Sequence, residues 1–567
     1  MKEYTISDFN IRALGSIYQP DRTVFRVFAP EYENMELVIR NHAYQMHRNG
    51  FVFEIALGGD LELERYHYRN EKGLCFRDPF AYLSDENDSI VLNPDKFLKE
   101  TIMPEECRDM IIYECNVRDF SSSPSFTGRY PRKFLAFTEE SLRYEGEAIG
   151  LDHLIDMGIT HLQLMPVMDF DNDKTEYNWG YNPLAYNYVK KDYVYDQGDP
   201  YAYVNELRHA VNVLHSHNIR VVLDVVFNHV YSIHRFDLEK MLPGHVFRYM
   251  EDGKLAQGTM CGSEIRSEDV FVREYLKEMT LRYLELFDID GIRMDLMGIL
   301  DIETVNQIRN LLCAYKRDFV VYGEGWDMGD VLPEELRASI PNARKLPEVA
   351  MFNDYFRDTM IHYVSGNRDI RSNVIKSLCC DMHYLAHNQS VNYVECHDDH
   401  TFFDRMMLYK SSDPRWINEK RCTLALSLVL VSRGIPFIHA GEEFYRTKNG
   451  VRNSYNSLDT INQLDWQLKV RNSENCRYIA DLISFRKQHS CFTDDDADFR
   501  FEEFDDCLIY HLNDLMIFIN PFENNYVFAD GKNYEILFDE HGRCVRRSQS
   551  IEISAYSIVI CRSEDVS

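Results

Sequence analysis

Residues 290–298 read DGIRMDLMG, an Arg-x-Asp set in an otherwise apolar run. In an extended chain residues i and i+2 share one face, so Arg293 and Asp295 point one way and Ile292 and Met294 the other. The segment follows an amphipathic pattern (Leu276, Met279, Tyr283, Leu286, spaced i, i+3, i+7, i+10) that predicts a helix. A helix leading into a short apolar strand is the repeating half of a β/α fold. This strand ends in an ion pair.

Working outward, the same rhythm recurs. Apolar strand candidates are MIIYECNV (110–117), THLQLMPV (160–167), IRVVLDVV (219–226) and DGIRMD (290–295), then DFVVYGEG (318–325), EVAMFND (348–354), VNYVECH (391–397) and IPFIHAG (435–441). Helical patterns such as Val204, Leu207, Val211 and Leu214 lie between them. Strands alternating with helices imply a parallel sheet buried on both faces. Eight of them predict a (β/α)8 TIM barrel, here assigned to residues 106–488. On either side the period changes to two. MELVI (35–39) and FVFEIAL (51–57) predict an N-terminal β-sandwich over 1–105. CLIYHLNDLMIFIN (507–520), read as a hairpin turned at Asn513-Asp514, and AYSIVICR (555–562) predict a C-terminal antiparallel β-domain over 489–567.

Composition narrows the function. A net charge of -30 argues against nucleic acid or an anionic membrane as partner. The N-terminal MKEYTISDFNIR has no apolar run to serve as a signal peptide. The longest apolar stretch, LALSLVLV (424–431), falls far short of the ~20 residues of a membrane span. Fourteen cysteines show no C-x-x-C pair, so neither a zinc site nor a disulfide framework is expected, and reduced thiols in the cytoplasm account for them most simply.

In a closed barrel the active site sits at the C-terminal ends of the strands. Strand three ends in Asp224, Asn228 and His229, and strand four in Arg293 and Asp295. Strand five ends in Glu324 and Trp326, and strand seven in Glu395, His397, Asp398 and Asp399. Taken alone, an Arg-x-Asp is as often a structural ion pair, and a single histidine is more often a core residue bonded to backbone. Four strands contributing such residues to one address make a different case. Paired carboxylates in unlike environments are the equipment of glycoside hydrolysis, one attacking the anomeric carbon and the other protonating the departing oxygen. Arg293 favours a charged Asp295. Apolar packing against Trp326 and neighbouring carboxylates favour a protonated Glu324.

In order, DVVFNH, GIRMDLMG, GEGW and YVECHDDHT resemble the four signature segments of glycoside hydrolase family 13, the α-amylase family. YNWGYNP (177–183) and NSYNSLDTINQLDW (453–466) resemble type I pullulanases within it, and LGSIYQPDRTVFRVFAP is similar to the starch-binding-like sandwich preceding such barrels. The resemblance implies Asp295 as nucleophile, Glu324 as general acid/base and Asp398 as the carboxylate that binds and distorts the sugar. It implies contacts to that sugar from His229, Arg293 and His397, support from Asp224, stacking by Tyr181, and apolar shaping of the leaving-group region by Met297. It implies an α-glucan substrate cut at α-1,6 branch links with retention, and no organic cofactor. Asn228 resembles a calcium ligand of some α-amylases, so Ca2+ remains open, although no set of metal ligands is readable.

The chain departs from the family pattern at Asn182, where the motif usually has Asp, at Asp399, where it usually has Asn, and at Ile292, where it usually has Phe. The stretch YVKKDYVYDQ stands where a PEGSY-like one normally follows. None of these touches the three carboxylates. Two alternatives stand beside the debranching reading. One is an α-1,4-acting or mixed-linkage hydrolase, against which DLMG argues because such enzymes commonly carry a Lys-His pair there. The other is a catalytically silent glucan-binding protein, against which the intact carboxylates argue.

Overall fold

The computed structural model describes residues 2–380 and 385–564. Seven of the eight apolar segments contain one short parallel strand, and the strand of the seventh begins one residue before its segment and ends at Asn392, short of Glu395 and His397. The strands are β1 (Ile112–Cys115), β2 (His161–Leu164), β3 (Arg220–Val225), β4 (Gly291–Met294), β5 (Val320–Gly323), β6 (Val349–Phe352), β7 (Ser390–Asn392) and β8 (Ile435–His439). They pair in chain order, and β8 returns to β1 with Phe437 opposite Ile112, closing the barrel. Apart from the first residue of β5, every residue in these strands is buried, as a sheet covered on both faces requires.

The two faces of the strands do different jobs. Outward residues such as Leu162, Leu223, Ile292 and Val321 join the main core beneath the helices. Inward residues Ile112, Val222, Tyr322, Phe352, Val391 and Phe437 form a separate apolar floor. Two positions further along, on the same inward parity, come Glu114, Asp224 and Glu324. Register sets Glu114 opposite Gln163, and Arg293 opposite both Asp224 and Tyr322. The barrel therefore carries charge directly above a dry floor.

Helices Ala202–Ser216 and Val270–Phe287 occupy the predicted patterns. Asp269 caps the second, accepting from the N–H groups of Phe271 (2.9 Å) and Val272 (3.3 Å), a contact worth ~1 kcal/mol. The helix ends at Asp288 in the left-handed region (φ 58°), and the chain turns there into β4. The stretch 424–431 is the buried C-terminal half of helix Arg415–Val431. Among the described residues no helix is long and apolar enough to cross a membrane.

At the N-terminal end two antiparallel sheets face each other. Phe25 on strand Arg22–Phe28 meets Tyr66 on strand Arg65–Asn70 edge-on at 4.8 Å. This sandwich is fused to the barrel's helix layer: Phe28 stacks on Phe271 at 4.7 Å, Arg77 pairs with Asp237 at 2.7 Å, and one hydrophobic core runs through both. The C-terminal strands form a six-stranded antiparallel sheet. Its hairpin pairs Cys507–Leu512 with Leu515–Asn520, turning through Asn513 at φ 52°.

Candidate active site

The ion pair at the end of β4 is part of a larger set. Arg293 is 1% exposed, and its Nη1 donates to Asp224 Oδ1 and Asp295 Oδ1, both at 3.0 Å. Its Nη2 lies 2.8 Å from Glu324 Oε1. One planar fork thus holds carboxylates from β3, β4 and β5, a division of donors that a lysine has no geometry for. The guanidinium also lies against the rings of Tyr181 (5.7 Å) and Phe352 (5.6 Å).

The carboxylates differ in their remaining partners. Asp295 receives the Asn228 amide on Oδ2 at 2.7 Å, and the same amide reaches its backbone oxygen at 2.8 Å. Glu324 accepts the Leu296 N–H on Oε2 at 3.0 Å. Burial, aided by Asp295 and Asp398 and opposed by Arg293, pushes Glu324 up to about 7. Asp224 is pushed up to about 6, again chiefly by burial, while Arg293 and the Tyr181 hydroxyl at 2.6 Å restrain it. Asp398, by contrast, is half exposed. A carboxyl protonated near neutrality beside one held by a guanidinium and an amide has the chemistry that a general acid and a nucleophile require.

A cavity of about 350 Å³ opens onto Arg293, Glu324, Trp326, His397 and Asp398. Larger clefts of about 1110 and 720 Å³ lie where the sandwich meets the barrel and beside the C-terminal sheet. Neither holds the strand-end carboxylates, so chemistry and not size locates the site.

A segment after β8 ties the motif loops together. Lys448 Nζ donates to the His397 carbonyl (3.3 Å), the Asp399 N–H donates to Asn453 Oδ1 (2.7 Å), and the Trp179 N–H donates to the Tyr455 carbonyl (3.1 Å). Asp399, at φ 63°, has the left-handed backbone that Asn and Asp tolerate best, and Arg452 and Arg405 take its charge.

The chain and its fold are similar to those of known proteins. The pullulanase of Bacillus subtilis (strain 168) is 37% identical over 519 residues, spanning 84% of this chain and 72% of that protein. The chain belongs to the pullulanase family. No family model matches it. The crystal structure of the pullulanase of Anoxybacillus sp. LM18-11 complexed with maltotetraose superposes with a TM-score of 0.93 at 33% identity, over 98% of this chain and 88% of that one. Pullulanase 1, chloroplastic, of Arabidopsis thaliana is 27% identical across 64% of this chain, which spans only 48% of that protein. As a pullulanase the chain is an α-1,6-debranching glycoside hydrolase.

Within this pullulanase the structure brings Tyr181, Asp224, Arg293, Asp295, Glu324, Trp326, His397 and Asp398 together, whereas Met297 and His229 are buried away from where the resemblance puts them. Met297 is fully buried in the main core and does not line the cavity. The cause is the backbone after Asp295: Leu296 turns left-handed (φ 38°), and a 3-10 turn over Met297–Ile299 folds back under β5. Gly298 there packs so tightly that a Cβ would lie 1.8 Å from the Trp326 carbonyl oxygen. His229, expected to reach sugar hydroxyls, is 0% exposed. Its Nδ1 meets Asn228 Oδ1 at 2.6 Å, its Nε2 meets the Tyr181 carbonyl at 3.0 Å, and Cys261 Sγ covers it at 3.7 Å. It orients the amide that holds Asp295. The atom of Asn228 that could serve a calcium ion, Oδ1, faces His229 Nδ1 at 2.6 Å, and among the described residues no group of three His, Cys, Asp or Glu side chains gathers to hold a metal.

Sequence reasoning also missed residues that line the cavity, notably Glu114, Phe352, Asp354, Arg357, Tyr393 and Arg452. Glu114 had a legible signal. It is an acidic residue two positions after Ile112 in an apolar strand, hence on the inward face.

Proposed function

We propose that this pullulanase cleaves α-1,6 links of pullulan and α-limit dextrins with retention, by a double displacement at Asp295. The nucleophile's Oδ attacks the anomeric carbon as the C1–O6 bond breaks, and Glu324 passes its proton to the departing O6. Water then attacks C1 of the glycosyl ester, Glu324 takes its proton, and Asp295 is released. Asp398 and His397 bind the hydroxyls of the cleaved sugar, Tyr181 stacks on its ring, Trp326 walls the acid, and Arg293, Asp224 and His229 hold the carboxylates in place.

The observation that carries this reading is the single buried guanidinium gripping both Asp295 and Glu324. Retaining pairs sit about 5–5.5 Å apart, whereas inverting pairs leave about 6.5–9.5 Å for a water. Sharing one fork favours the shorter arrangement. Three units, 1–105, 106–488 and 489–567, make up the chain in this reading. Cysteines such as Cys115, Cys422 and Cys476 are free thiols, which supports a reducing compartment and hence the cytoplasm.

Pullulan digestion tests it. Cleavage at α-1,6 yields maltotriose, and proton NMR of the fresh product should show the α-anomer first. Panose as the main product, or the β-anomer first, refutes the proposal.

A further inference from the structure

Glu114 is buried, and the mechanism above gives it no part. Both its oxygens reach His397. Oε2 accepts the His397 backbone N–H and Oε1 meets His397 Nδ1, each at 2.8 Å. Gln163 Nε2 donates to the same Oε1 at 3.0 Å, and the Tyr322 hydroxyl donates to Gln163 Oε1 at 2.7 Å. A hydrogen-bonded chain thus crosses the barrel interior from β5 through β2 and β1 to the loop after β7. It leaves His397 Nε2 facing Asp398 Oδ2 at 3.4 Å.

The groups around the ring are few. Tyr181 stacks on it at 4.8 Å with its hydroxyl 3.4 Å from Nδ1, and Trp179 meets it edge-on at 5.1 Å. Burial opposes a charged ring, and Arg293 does so more weakly, while Asp398 and Glu114 together outweigh both and hold the imidazole up to about 9. Lys448 touches only the backbone carbonyl.

We propose that Glu114 is a positioning residue: its carboxylate fixes His397 as a doubly protonated ring, with Nδ1–H held inside and Nε2–H presented at Asp398 and the sugar bound there. A neutral histidine has one donor and would have to choose between the two. This rests on the proposed place of Asp398 and His397 at the cleaved sugar, but the measurement that decides it, the protonation of the ring, needs no substrate.

Nitrogen NMR of histidine-labelled enzyme, with His397 assigned from the H397N spectrum, reads the ring directly. Both ring nitrogens of His397 should be protonated from pH 6 to 8 in the native enzyme. In E114Q the amide can accept one N–H but must turn its own donors toward the other, so the ring should lose a proton within that range. Its kcat should fall up to roughly a hundredfold with KM little changed, the cost of a misplaced group. A neutral His397 at pH 7 in the native enzyme overturns the proposal whether or not E114Q folds. So does a ring that keeps both protons to pH 8 in E114Q. Neither result bears on whether pullulan is cut.

Discussion

Replacing Glu324 by Gln should abolish hydrolysis and, above neutrality, make the protein more stable. Burial sets the folded carboxyl at about 7 against an ordinary 4.5. A carboxyl raised on folding binds its proton more tightly in the native state. Its contribution is therefore full below pH 4.5 and lost as pH rises through 7. The gap corresponds to about 3 kcal/mol, little screened because the side chain is 10% exposed. Gln cannot ionise and keeps that contribution. It does lose one bond, because an amide that turns its oxygen to Arg293 sets its NH2 against the Leu296 N–H, at ~1 kcal/mol. The variant should thus trail the native enzyme by about 1 kcal/mol near pH 4.5 and lead it by about 2 kcal/mol near pH 8.5. With an unfolding entropy of roughly 2 cal/mol/K per residue, the swing is about 3 °C in Tm for a chain unfolding as one unit. Scanning calorimetry of both proteins at the two pH values measures it. A Tm difference that does not change with pH would refute the burial argument and, with it, the assignment of Glu324 as the acid.

The alkaline limb of kcat/KM should fall as pH rises through about 7, since only protonated Glu324 can give up a proton, and Glu324→Gln should erase that limb for substrates with activated leaving groups. Asp295→Ala should lower kcat by at least ~10⁴-fold without changing the circular dichroism, and azide should restore turnover as a glycosyl azide of inverted configuration; near-native turnover would remove Asp295 as nucleophile. Arg293→Lys keeps the charge but reaches fewer of the three carboxylates. Losing one or two charge-assisted bonds, at ~1.5–3 kcal/mol each, should cost kcat roughly 10- to 10⁴-fold, and a loss under tenfold refutes the shared-fork argument. Deleting residues 1–105 strips Phe28 from Phe271 and Arg77 from Asp237, so the truncated barrel should be insoluble or melt well below the full chain; a soluble, fully active barrel would show the sandwich to be dispensable.

The sequence by itself determined the strands, because a fully buried strand must be apolar on both faces and that pattern is local. It also determined which side chains share the inward face, because strand parity is fixed by the chain: Arg293 with Asp295, Asp224 with Val222, Glu324 with Tyr322. Given closure, the three carboxylates could then be placed at one end. Only the tertiary structure decided what those groups touch. That Arg293 serves Asp224 and Glu324 as well as Asp295 depends on register between strands 69 and 31 residues away, which no local pattern carries. Glu114 and His397 are 283 residues apart and meet only because the barrel closes. The two misplaced residues failed for the same reason. Parity holds along a strand but ends with it, so the left-handed turn at Leu296 sends Met297 into the core. A loop 32 residues further along covers His229 with Cys261. The strand pattern gives the direction of a side chain, and only packing decides what covers it.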